Sequence, residues 1–141
     1  MKILLERARH YYLNEDMNCA ETLLRAANDE YGLGIGPEGL KMMAGFGGGM
    51  GLENNCCGAL SGAVAAISAR FTTTKAHENP RVKELCKSYL NLFLEKHGNI
   101  FCGPLKERHK NEDEKLRCLA VVEMAARELD ELMQEAEGLV R

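Results

Sequence analysis

Between Gly45 and Gly62 the chain reads GFGGGMGLENNCCGALSG, and this stretch limits what the rest can become. Five glycines fall within Gly45–Gly51, where the backbone is free to take positive φ or to approach another group closely. Asn54 and Asn55 follow, and then an apolar, alanine-rich run from Cys57 to Ala69. The pattern predicts a glycine turn, an asparagine N-cap and a helix. With Asn55 as the cap, Cys56 and Cys57 occupy the first helical turn. There the unpaired N–H groups and the helix dipole favour a thiolate over a thiol. The chemistry that this stretch points to is that of sulfur.

The remainder of the chain reads as helix. Val, Ile and Thr together number 13, against 19 Leu and 15 Ala, and no period-2 alternation appears. Six helices are expected in a single all-α domain spanning residues 1–141. The first covers Lys2–Leu13, with Leu4, Leu5, Ala8, Tyr11 and Tyr12 on one face. Asn18 opens the second, with Glu21 completing a capping box and Cys19 at the first helical position; its apolar stripe is Ala20, Leu23, Leu24, Ala27 and Tyr31. Pro37 starts the third, which runs through Leu40, Met43 and Ala44 into the glycine turn. The fourth spans Cys56–Phe71, with Gly58, Ala59, Gly62, Ala63 and Ala66 as small-residue ridges suited to close packing. Asn79-Pro80 opens the fifth, whose apolar face holds Val82, Leu85, Cys86, Tyr89, Leu90 and Phe93 up to Gly98. A loop over Asn99–Lys110 carries Cys102. Asn111 with Glu114 is a second capping-box pattern, opening a helix to Glu137 with Cys118, Val122, Ala125, Leu129 and Leu132 on its buried side.

Composition removes several function classes. A net charge of −3 with no basic block gives no nucleic-acid footprint. The start, MKILLERARHYYL, does not read as a signal peptide, and the apolar run Ala59–Ala69 is too short for a transmembrane segment. A cytoplasmic location is expected. Six cysteines there point to metal binding or redox chemistry rather than to structural disulfides. No CxxC spacing occurs, so a site has to be assembled from distant segments. No Ser/His/Asp order or paired carboxylates at a catalytic spacing are present.

Cys57 and Cys19 stand out as helix-start thiols, and Cys102 as a loop thiol flanked by Phe101 and Gly103. Cys118 and Cys86 sit on apolar helix faces and read as small core residues. Cys56 reads as a bystander, because adjacent cysteines close a disulfide only with strain. His109, between Cys102 and Cys118, is a solvated loop histidine that could complete a mixed Cys/His site; His97 complements a helix C-terminus. The glycine cluster lacks the preceding strand that a dinucleotide loop requires. Gly47, Gly48, Gly49 and Gly58 therefore have two uses: a sharp turn between helices, and N–H groups offered to a sulfur, cluster or anion at Cys57.

With Asn18-Cys19-Ala20, the Gly45–Gly51 cluster, Cys57-Gly58-Ala59-Leu60-Ser61-Gly62, Cys102 and Cys118 in order, the chain resembles a family of helical redox-active proteins named for a C…CGAxxG…C…C pattern. The resemblance covers essentially the whole chain and implies that Cys19, Cys57, Cys102 and Cys118 are the family's four cysteines, with Cys56 and Cys86 as extras. Three readings follow. The leading one is thiol–disulfide exchange or electron transfer, with Cys57, and with it Cys19, as the attacking thiolate and Cys102 or Cys118 as the resolving thiol. The second is a metal-binding module, with the same four cysteines holding an Fe–S cluster or zinc. The third is a non-catalytic interaction protein, a homo-oligomer or an accessory to a membrane transporter, the last implied by the resemblance alone. A redox partner belongs to the first reading.

Overall fold

A computed structural model describes residues 2–138, without the side chains of residues 2 and 114. Among the described residues seven regular α-helices follow one another: α1 (Lys2–Asn14), α2 (Cys19–Tyr31), α3 (Pro37–Leu40), α4 (Gly58–Phe71), α5 (Pro80–His97), α6 (Cys102–Glu107) and α7 (Glu114–Ala136). The all-α fold is as expected, with α6 as an addition. No helix among the described residues is long and apolar enough to cross a membrane.

Local chemistry explains most boundaries. The Asn18 side chain accepts from the Glu21 N–H at 2.9 Å and the Glu21 carboxylate accepts from the Asn18 N–H at 3.0 Å, a complete capping box for α2. Gly32 closes that helix in the left-handed region, and Gly98 does the same for α5. Asn79 caps α5 ahead of Pro80. The chain leaves α3 into a 3₁₀ segment, Lys41–Phe46, rather than continuing as one helix.

Helices α2 and α4 form the tightest pair at the centre, with α1, α5 and α7 around them. The small-residue ridge of α4 permits this approach. A Cβ on Gly62 would lie 2.6 Å from the Ala20 carbonyl oxygen and 2.9 Å from Leu23 Cβ. Leu23, Leu60, Ile67, Tyr89, Phe93 and Leu129 are fully buried in the shared core, each stabilising by about 1.5–3 kcal/mol.

Three sequence expectations are corrected. Cys57, not Asn55, is the N-cap of α4, so neither Cys56 nor Cys57 lies within the first helical turn. Residues 53–57 instead lie alongside residues 100–103, with an isolated antiparallel bridge between Cys56 and Phe101. The Cys57 N–H donates to the Ile100 carbonyl at 2.8 Å, Cys102 N–H to Asn55 at 3.0 Å, and Gly103 N–H to Glu53 at 2.6 Å. The same pairing places Cys102 at the start of α6, where a continuous loop was expected. The long last helix is capped by Asp113, whose carboxylate accepts from the Leu116 N–H at 3.0 Å, rather than by Asn111. The Glu114 half of the expected capping box lies outside the described residues.

Candidate functional site around four cysteines

The glycine turn is built for contact with the cysteines. Gly48 and Gly49 both have φ of +65°, a left-handed run that only glycine takes without strain. A Cβ on Gly49 would lie 3.0 Å from Cys102 Cβ, and one on Gly47 2.5 Å from the Asn18 amide nitrogen. Asn18 in turn donates to the Ala44 carbonyl at 2.9 Å, pinning the segment before the turn to the start of α2. Across from it, a Cβ on Gly58 would lie 2.6 Å from Cys19 Sγ and 2.7 Å from the Phe46 carbonyl oxygen. The glycines expected to offer N–H groups to Cys57 therefore press on Cys19 and Cys102. Gly48 donates its N–H to Cys19.

Cys19, Cys57, Cys102 and Cys118 all line one nearly closed cavity of about 30 Å³, with Gly48, Lys106 and Val121 completing the wall. This volume suits about one water molecule. Cys19, Cys57 and Cys102 are buried and Cys118 half-buried. Cys56 and Cys86 are half-buried and lie outside this wall. Burial pushes the thiol pKa of both upward.

The two central thiols influence each other, and their pKa values are pushed apart. Cys57 donates its S–H to Cys19, and the N–H groups of Gly48, Ala20 and Cys19 itself also converge on that sulfur. The hydrogen bond from Cys57 is the largest influence, and against the opposing cost of burial it brings the Cys19 pKa down to about 6. Cys57 moves the other way, held well above an ordinary thiol by that same hydrogen bond and by burial. The expectation of a thiolate at Cys57 is thus corrected: the helix start that stabilises a thiolate is that of α2, and Cys57 is its proton donor. Burial pushes Cys102 up to about 11, with Lys106 opposing.

Two residues that the sequence reading did not single out as site residues take part. Tyr12, expected only as a core residue of the first helix, donates its hydroxyl to the Lys115 carbonyl at 2.9 Å and is hydrogen-bonded to the Cys118 side chain. Lys106 reaches Glu53 at 3.2 Å while flanking the cysteine cavity. Neither carries a sequence signal, because both arrive by tertiary packing. His97 is bound at 2.6 Å to the buried Glu128, away from the cysteines. His109 is not among the cavity's lining residues.

Outside the closed cavity lies an open cleft of about 580 Å³, bounded by Tyr12, Asp16, Cys19, Gly48, Lys115 and Cys118 among others. Cys19, Gly48 and Cys118 belong to both spaces, so the cysteine cluster meets solvent through this cleft.

The fit of a metal can be tested on the donor set. Among the described residues, no group of three or more His, Cys, Asp or Glu side chains is arranged to hold a metal ion. As the side chains stand, they form neither a zinc site nor a cluster cradle.

Comparison with curated proteins finds no match, and neither does comparison with solved structures. The family comparison does, and it spans all four cavity cysteines. With its model matching residues 17–132, the chain belongs to the family described as "Putative redox-active protein (C_GCAxxG_C_C)".

Proposed function

We propose that this protein carries out thiol–disulfide exchange, with Cys19 as the attacking thiolate and Cys57 as the resolving thiol. The observation that carries the reading is four cysteines lining one cavity, and the Cys57 thiol with three backbone N–H groups brings the Cys19 pKa down to about 6. A thiolate near neutrality beside a protonated neighbour is the starting state that exchange requires. In the reaction, the Cys19 thiolate attacks one sulfur of a partner disulfide and the other partner sulfur leaves as a thiolate. Cys57 then gives up its proton to that leaving group and attacks Cys19. A Cys19–Cys57 disulfide forms and the second partner thiol is released. Two protein thiols are oxidised and one partner disulfide is reduced.

Cys118 and Cys102 line the same cavity and are the further thiols through which the disulfide can move. The reading includes a redox partner and a reducing, cytoplasmic setting, where the cysteines return to the thiol state. The test is mild oxidation of protein purified without oxygen or chelator, followed by native mass measurement and disulfide mapping. A metal-free mass that loses two hydrogens, with a peptide joining Cys19 to Cys57 and Cys86 left free, is the expected result. Bound zinc or iron with sulfide would overturn the reading, as would oxidation that leaves Cys19 unbridged.

A further inference from the structure

We propose that the cleft above Cys19 binds a small disulfide of the amino-acid type, one bearing both an ammonium and a carboxylate, and that Asp16 and Lys115 select it. This rests on the exchange reading above and names the substrate class for it. The cleft, about 580 Å³, falls within the range of about 300–1,000 Å³ usual for small-molecule sites. Cys19 is only 8% exposed at its base. A slender ligand suits a sulfur of such low exposure.

Two exposed side chains of opposite charge stand on those walls. Asp16 lies in the turn between α1 and α2, with φ of +56°, a left-handed conformation that aspartate tolerates. It has no hydrogen bond or ion pair among the described residues. The Lys115 ammonium lies 5.9 Å from the centroid of the Tyr12 ring and likewise has no ion pair among the described residues. The other wall carboxylate, Glu21, already accepts the Asn18 N–H of the capping box. Glu21 keeps its negative charge, so the walls offer two carboxylates, of which Asp16 is the one without a partner, and one ammonium, Lys115. A purely anionic disulfide meets Asp16 and the Cys19 thiolate, a purely cationic one meets Lys115, and a zwitterionic one satisfies both walls.

In the step itself, the Cys19 thiolate takes one half of the small disulfide into a mixed disulfide and the other half leaves as a thiolate. Cys57 then displaces the first half, so each small disulfide yields two small thiols.

The experiment uses the fully reduced protein with two probes that share the same disulfide core, cystine and cystine capped as its N-acetyl amide. Thiol release is timed, and the adduct is located by mass spectrometry. We expect cystine to react about ten-fold faster than the capped probe. Asp16→Asn and Lys115→Gln should each slow cystine about three- to five-fold, the size of one exposed charge contact, and leave the capped probe unchanged. Equal rates for the two probes, or variants without effect on cystine, overturn the selection by Asp16 and Lys115 while leaving Cys19 reactive. No reaction with either probe overturns the exchange reading together with it.

Discussion

The chemistry of this protein turns on one donated proton. Burial alone would push the Cys19 pKa up, since the charged form is the one that loses solvation. The Cys57 S–H and three N–H groups outweigh that cost and set the direction downward. The resulting thiolate contributes stability above the unfolded thiol pKa, near 8.5, and loses it as pH falls through the folded value of about 6. Mass-resolved alkylation reads the same titration. Cys19 modification should reach half its maximum rate near pH 6, whereas Cys86, raised by burial, should still be gaining rate above an ordinary thiol pKa. Cys57→Ala removes the principal donor and should move the Cys19 midpoint up by at least about one pH unit. Cys57→Ser keeps a hydroxyl donor and should move it less. A midpoint indifferent to both substitutions would mean that the backbone N–H groups alone hold the thiolate.

At the level of elements, the junction between the glycine turn and α4 decides whether the two sulfurs can meet. Gly58 opens α4, and glycine at a helical position is ordinarily worse than alanine by about 1 kcal/mol. Gly58→Ala would gain that propensity, yet its Cβ would stand 2.6 Å from Cys19 Sγ and 2.7 Å from the Phe46 carbonyl oxygen. A backbone oxygen cannot swing aside as a flexible side chain does, so overpacking of about 1–3 kcal/mol wins. The expected result is a lower midpoint in thermal unfolding and a Cys19 that no longer receives the Cys57 proton, seen as an upward shift in its alkylation midpoint. Unchanged stability would show that the turn yields freely. This junction also marks where sequence reasoning stops. The α2 capping box was readable because Asn18 and Glu21 act within one turn, and so was the small ridge of α4, because its period is local. The cap at Cys57 was not, since the carbonyl that fixes it belongs to Ile100, more than forty residues away. For the same reason the direction of the proton between Cys19 and Cys57 could not be read, and Cys118, on an apolar helix face, was singled out only by the family resemblance.

Across the whole molecule, α7 ties the cysteine end to the rest of the bundle. Cys118 lies in its first turns, and Glu128, ten residues on, is about 15 Å further along the axis. The Glu128 carboxylate is buried, and accepts from Lys96 at 3.2 Å and bonds His97 at 2.6 Å, both on α5. Asp130, the next buried carboxylate of α7, accepts from the Tyr31 hydroxyl of α2 at 2.7 Å. These contacts fix how α7 sits against its neighbours, and none of them touches a cavity cysteine. Glu128→Gln keeps the shape but removes the charge and should cost about 1–3 kcal/mol. Glu128→Ala removes both bonds and the packed side chain, and since Lys96 keeps Glu131 at 3.1 Å it should also cost about 1–3 kcal/mol. Sites this far apart with no shared partner act independently to within about 0.5 kcal/mol. Both variants should therefore unfold at lower temperature, while the Cys19 alkylation midpoint of the protein that remains folded stays where it is. A midpoint that moved with the loss of Glu128 would mean that the placement of Cys118 and Tyr12 against Cys19 is set from the far part of α7, and that stability and thiol chemistry are coupled through that helix rather than housed apart.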